Sequence, residues 1–204
     1  MIVLALDTSV TGCSICISDG AQFWHESMDT ERGQAEFLVP MINRVIRKAG
    51  YTYNDFDRIA VTIGPGSFTG VRVGLSTAKA LGLSINKPVM GFDTLSVIAR
   101  GKKLKEDTLI LIDTKRGDFY GQVYSVSGEA ITDAGIWTQE LVEASELETL
   151  LNIGPDVEVL AKMALDLISD QTTYSADQAP APLYLRGAEI SLSKRIAPQI
   201  VKTA

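Results

Sequence analysis

The sequence predicts an α/β protein of two related halves, the second poorer in structural signal than the first. Three observations carry this. Apolar strand-like runs alternate with stretches of helical spacing. Two segments, "IVLALDTSVTGCSICISDG" and "TLILIDTKRGDFYGQVYSVSGE", share one plan: an apolar run ending in Asp-Thr, a short glycine-containing turn and a strand. Asp7 and Asp113 hold equivalent places, one opening each half. Chance is the competing account, because apolar strands often end at Asp-Thr. Between the two, "RGKKLKED" turns basic and polar and reads as a connector. The expected halves are residues 1–103 and 104–204, the first being also open to taking up the C-terminal tail.

The elements follow in order. "IVLAL" is continuously apolar, as a buried central strand is. "CSICIS" alternates and reads as a second strand, and "QFWHESM" after the turn "DGA" as a third, giving an antiparallel meander. In "ERGQAEFLVPMINRVIRKAGY", Phe37, Leu38, Met41, Ile42, Val45, Ile46 and Ala49 recur at helical spacing, with Gly50 as a stop. Pro40 removes one backbone donor and is expected to kink this helix or delay its start. "RIAVTI" is a fourth strand. A helix from about Thr69 to Leu83 is rich in small residues, each glycine costing ~1 kcal/mol of helix stability but allowing close backbone approach. "PVMGF" is a fifth strand, and Asp93 caps a helix over "DTLSVIAR". Beyond the connector, "LVEASELETLL" and "MALDLIS" read as short helices. "QAPAPLYLRG" reads as extended, and "SLSKRIAPQIVKTA" has no strong pattern.

Hydrophobic residues make up 46% of 204, so a sizeable core is available. The net charge of −6 speaks against a protein that wraps nucleic acid unaided. Cys13 and Cys16 lie at i and i+3 of one strand, on opposite faces, and read as small core residues of a reducing compartment. "MIVLALD" lacks a basic leader region and reaches Asp7 too soon for a signal peptide, and no apolar run is long enough for a bilayer. A cytoplasmic protein with no membrane association is expected.

The densest motif is "TIGPGSFTGVRVG". Its strand, glycine turn and helix start form a layout that holds anions, with Gly64, Gly66 and Ser67 at the turn. Yet G-x-G-x-x-x-G misses the dinucleotide fingerprint and lacks the Lys-Ser/Thr ending of a P-loop. The alternative is a tight turn capped by Ser67 or Thr69. Asp7, with Thr8 and Ser9, and Asp113 stand at strand ends where they could hold magnesium through water, or serve only their own turns. No base accompanies Ser67, and the single histidine, His25, sits in a strand, so catalysis is poorly equipped. The apolar band of the first helix is wider than packing on a sheet needs. It reads either as a helix buried on two sides or as a docking face.

"LALDTSVTGCSICI", "GPGSFTGVRVGLSTAKAL", "PVMGFDTL", "IDTKRGDFY" and "PLYLRG", in this order and spacing, resemble the TsaB (YeaZ) family over nearly the whole chain. The segment from Glu129 to Ala179 matches loosely. The resemblance implies an actin-like ASKHA fold of two RNase H-like halves, the second reduced. It implies a non-catalytic partner of a TsaD-type transferase, which makes threonylcarbamoyladenosine on tRNA, joined by a TsaE-type ATPase. TsaD-like proteins carry a metal-binding H-x-x-x-H that falls at Thr94 and Ile98 here. The expected partner face is Phe37, Leu38, Met41, Ile42 and Val45 of the first helix with Val73 and Thr77 of the next. Met41→Asp or Ile42→Asp is then expected to weaken association. No cofactor is required by this chain alone, while ATP or ADP with magnesium is a candidate at a complex interface. Alone, the chain is expected to form a homodimer, and tRNA to be met only through the complex. Where many relatives have Arg-His-Ser/Thr-Gln, this chain has Arg32-Gly33-Gln34. An independent nucleotide-binding or ATP-hydrolysing protein, and less so a peptidase, are the alternatives.

Overall fold

The computed structural model describes residues 1–30, 33–167 and 172–186. Its frame is two mixed sheets. The first takes β1 (Val3–Asp7), β2 (Cys13–Ser18), β3 (Phe23–Met28), β4 (Arg58–Thr62) and β5 (Val89–Phe92) in the order β3-β2-β1-β4-β5. Strands β1, β2 and β3 form an antiparallel meander, while β4 and β5 run parallel to β1. The second takes β6 (Thr108–Asp113), β7 (Asp118–Tyr124), β8 (Gly135–Thr138) and β9 (Glu148–Leu151) in the order β8-β7-β6-β9. There, too, the central strand pairs antiparallel with its hairpin neighbour and parallel with the strand beyond. The second sheet thus repeats the first with one parallel strand fewer. Asp7 and Asp113 are the last residues of the two corresponding strands, β1 and β6. This is the layout of two RNase H-like halves, the second reduced.

Alternation along the strands sorts the first core into two layers. On one face Leu4, Leu6, Cys13, Ile15, Ile59 and Val61 pack against helices α1 (Gln34–Ala49) and α2 (Phe68–Ile85). On the other, Val3, Ala5, Cys16 and Ala60 pack against α5 (Val157–Asp166). Cys13 and Cys16 therefore lie in separate layers, as the i, i+3 spacing implied, and burial pushes their thiols up to about 11 and about 12. Helix α5 packs on the first sheet although it follows the second in sequence. Buried Arg58 fastens it there, donating from Nη1 to the carbonyls of Ala164 at 2.9 Å and Leu167 at 2.8 Å.

Helix α3 (Thr94–Gly101) joins the halves. Val97 faces the α5 layer, whereas Leu95, Ile98 and Ala99 pack with Ile110, Ile112 and Tyr124 of the second sheet. Its Asp93 cap accepts from the Ser96 amide at 2.8 Å, as expected of an N-cap. A polar chain crosses the joint: Ser96 Oγ meets the Tyr124 hydroxyl at 3.1 Å, and that hydroxyl donates to Gln122 Oε1 at 2.6 Å. Desolvation raises the Asp93 carboxyl above its usual range.

Two expectations change. "LVEASELETLL" is not one helix: α4 covers Gln139–Ala144, Glu146 turns left-handed at φ 53°, and the rest is β9. Pairing with the open edge of β6 outweighs the helical preference of Glu and Leu, a tertiary term that composition does not carry. The second concerns α1. Leu38, Met41 and Ile42 are wholly buried and Val45 nearly so, inside this chain's own core. The sheet and the neighbouring α2 cover this part of the band and leave Phe37 at its exposed margin, so these four residues are not a docking surface. Pro40 sits on the solvent side, where the missing donor leaves α1 unbroken from Gln34 to Ala49. The tail from residue 187 onward, and Arg32 of the Arg32-Gly33-Gln34 departure, lie outside the described residues.

Met41→Asp and Ile42→Asp therefore place a carboxylate in an apolar core, at a cost of several kcal/mol. Thermal melts of the isolated chain are expected to show loss of the folded state in both. A wild-type melt in either variant would place α1 differently.

Candidate functional site

The glycine-rich loop and the loop after β1 meet face to face at the carboxyl ends of β1 and β4. The Ser67 amide donates to the Ser9 carbonyl at 2.7 Å. The Thr8 hydroxyl donates to the Gly70 carbonyl at 2.7 Å. This approach is close enough to explain the glycines. A Cβ at Gly66 would stand 2.1 Å from the Ser9 carbonyl oxygen, and one at Gly70 would stand 2.0 Å from that of Thr8. At Gly74, one turn on, it would meet the Thr8 hydroxyl at 2.5 Å. Small residues at spacing four thus lay α2 directly on the β1–β2 loop.

Ser67 caps α2, accepting from the Gly70 amide at 3.2 Å, and its own amide is taken by Ser9. Asp7 is 3% exposed and works as an internal hub. Its Oδ1 accepts from the Thr62 hydroxyl at 2.6 Å, the Ser9 hydroxyl at 2.6 Å and the Ser9 amide at 3.1 Å. Desolvation raises its pKa above 3.8, against the lowering effect of those donors. Of the expected loop residues, the structure brings Asp7, Thr8, Ser9, Gly64, Gly66 and Ser67 to one end of the first sheet. Asp113, at the equivalent place of the second, serves its own turn. It accepts from the Lys115 amide at 2.6 Å and pairs with Lys115 Nζ at 3.1 Å, and these hold its carboxyl below the usual value.

Thr94 and Ile98, at the positions matched to metal ligands, are both core residues, 0% and 1% exposed. The Thr94 hydroxyl makes no hydrogen bond among the described residues. Those residues contain no cluster of three or more His, Cys, Asp or Glu suited to a metal ion. His25 is the register partner of Cys16 across β2 and β3, but the thiol is buried while the imidazole pairs with Glu158 at 2.7 Å on the surface. A Cys-His nucleophile is not assembled there. No described helix is long and apolar enough to cross a membrane.

The apolar groups that do reach solvent on the two helices are others. Phe37 and Val39 of α1 are 38% and 46% exposed, and Phe68 and Leu83 of α2 are 60% and 66% exposed. Val73 and Thr77 are half-buried, Val73 packing against the α1–α2 core. Sequence spacing did not single out Val39, Phe68 or Leu83. On α1, exposed Pro40 lies next to Val39 on the solvent side.

Comparison with known proteins adds the following. The sequence model of the tRNA N6-adenosine threonylcarbamoyltransferase (TsaD) family matches residues 28–196. The tRNA threonylcarbamoyladenosine biosynthesis protein TsaB of Buchnera aphidicola subsp. Schizaphis graminum is 30% identical over 150 residues, 72% of this chain and 71% of that protein. The protein of the same description from Escherichia coli K12 is 32% identical over 148 residues, 71% of this chain and 62% of its own length. Among solved structures, YeaZ from Pseudomonas aeruginosa superimposes with a TM-score of 0.77 at 22% identity, over 90% of this chain and 99% of that one. A further Pseudomonas aeruginosa structure, described as similar to peptidase YEAZ, gives 0.79 at 23% identity, over 91% and 99%.

A carboxyl with a raised folded-state pKa binds its proton more tightly in the folded than in the unfolded chain. The stability this provides is complete below the unfolded value near 3.8 and is lost as pH rises through the folded value. Asp7→Asn removes that titration, and its Oδ1 can still accept the converging donors. The melting temperature of the variant relative to wild type is expected to climb as pH rises above about 4. A difference that stays flat with pH would contradict a raised Asp7.

Proposed function

The chain belongs to the TsaB (YeaZ) family, within the wider TsaD family, and on that premise we propose that it is a non-catalytic partner which binds and activates a TsaD-type transferase in threonylcarbamoyladenosine formation on tRNA. The observation that carries the non-catalytic reading is the fate of the two matched metal-ligand positions. Thr94 and Ile98 are core residues of α3, and neither is a metal-ligating type. The loop geometry supports it, since the Ser67 amide and the Thr8 hydroxyl hold the two loops to each other and Asp7 accepts from Thr62 and Ser9.

The docking surface in this reading is the solvent side of α1 and α2. Phe37 and Val39 offer exposed apolar area on α1, with Val73 and Thr77 at the margin on α2. Aromatic and aliphatic side chains that leave water on association supply most of the binding energy of such an interface. A TsaE-type ATPase joins the complex, and tRNA, whose backbone the net charge of −6 repels, is met through it. In the same reading the protein is cytoplasmic and pairs with a second copy when alone. It needs no cofactor of its own, and ATP or ADP with magnesium is taken at the complex interface.

The test is reconstitution of TsaD and TsaE from the same organism, with and without this chain, reading modified adenosine on tRNA. Modification is expected only with the chain present, and full activity without it would refute the proposal. Phe37→Asp and Val39→Asp are expected to keep a wild-type melt yet weaken copurification with TsaD by about tenfold or more. Unchanged copurification of both would move the docking face away from α1.

A further inference from the structure

The stretch "PLYLRG" belongs to no catalytic or docking role derived above, yet most of it is held in place. Residues 180–186 run as an extended strap from the first half to the second. The strap begins over β5, where Gly91 leaves room for Pro180: a Cβ at Gly91 would stand 2.6 Å from the proline ring. It then pairs with the end of β4, the Leu183 amide donating to the Ile63 carbonyl at 2.8 Å. Beside that bond the Leu183 carbonyl lies 3.1 Å from where a Cβ of Gly64 would be. Next, Tyr184 engages α2. Its hydroxyl accepts from Arg72 Nε at 2.8 Å, and the Arg72 guanidinium lies 3.6 Å over the Phe68 ring. Finally Arg186 pairs with Asp118 at the start of β7, in the second half. That pair is shielded, its side chains 19% and 20% exposed, and Thr114 also donates to the Asp118 carboxylate. Asp118 is held below the usual carboxylate range, first by Thr114 and then by Arg186.

The carboxyl ends of parallel strands are where open α/β sheets receive their ligands. Here the strap lies across those ends at β4 and β5. We propose that residues 180–186 are a latch: the chain's own extended segment occupies the groove at the carboxyl ends of β4 and β5, and its Arg186–Asp118 clasp ties the second half to the first. The groove takes an extended peptide because it offers a backbone carbonyl at Ile63, two glycine-lined clearances and a cation–aromatic seat at Arg72. Helix α3 is the permanent joint between the halves, and the latch is the releasable one, since its anchors are one backbone bond and side-chain contacts near the surface. While it is closed, the groove is filled and closed to any other ligand.

Full-length wild type, Asp118→Asn and Tyr184→Ala distinguish the cases. Two readings are taken: trypsin cleavage after Arg186, identified by mass, and amide exchange at Leu183. In wild type, cleavage is expected to be slow and Leu183 protected. Asp118→Asn and Tyr184→Ala are each expected to speed both by about tenfold or more while amides of β1 and β2 keep their protection, the signature of local rather than global opening. Exposed Tyr184 lies outside the core, so its variant keeps the experiment decisive if Asp118→Asn loosens the second sheet. Free exchange of Leu183 in wild type, or rates unmoved by both variants, would overturn the latch.

Discussion

The packing of α2 on the β1–β2 loop is the constraint on which the rest depends. Gly66 in the loop and Gly70 and Gly74 in the helix bring this backbone against the Ser9 and Thr8 carbonyls and the Thr8 hydroxyl, at a distance no side chain would permit. That contact fixes the direction in which α2 leaves β4. Helix α1 then closes over the remaining width of the sheet, and the orientation of α2 decides which residues of α1 are inside. Asp7 ties the arrangement from beneath, gathering Thr62 of β4 and Ser9 of the loop on one carboxylate oxygen. A motif that looks like a phosphate loop is used here as a structural weld. Of its amides, that of Ser67 is taken by the chain's own Ser9 carbonyl.

The duplicated plan explains much of the remainder. Each half is a hairpin strand pair with a parallel extension, and among the described residues the second sheet has one parallel strand fewer. The first half makes up material from late in the chain: α5 covers its second face, and residues 180–186 cross the ends of β4 and β5. The second half is left with a thinner cover, in which α4 supplies only Val142 beside Trp137 on one face. Its apolar residues Ile136, Leu141 and Leu151 stay largely exposed, as expected of a reduced domain.

Where local physics decides, the sequence was readable. Gly50 adopts the left-handed conformation that ends α1, and Asp93 caps α3 as its position implied. The Asp7 and Asp113 echo was legible because a strand ending in Asp-Thr before a glycine turn is a local pattern repeated at two places. What depended on partners distant in sequence was not legible. The helical reading of "ELETLL" failed because the parallel edge of β6 lies far back in the chain. The width of the α1 band was visible, but whether a second helix or another protein covered it could not be read from spacing. For the candidate site, Ser67 as a cap was among the readings the residues allowed. Asp7 serving its own turn through Ser9 was likewise among them, but its bond to Thr62 was not, because Thr62 reaches it only after β1 and β4 pair.

In the proposed reading the glycine-rich loop serves architecture and the outward surface of the helices serves association. Exposed apolar groups on α1 and α2 sit on a frame held rigid by the glycine contact, while the matched metal-ligand positions are packed core. Hydrogen exchange of this chain, free and bound to a TsaD-type partner, tests that most directly. The account predicts new protection along α1 and the solvent side of α2, with the Asp7 and Gly64–Gly70 loops equally protected in both states. Protection confined to those loops, with α1 unchanged, would contradict it.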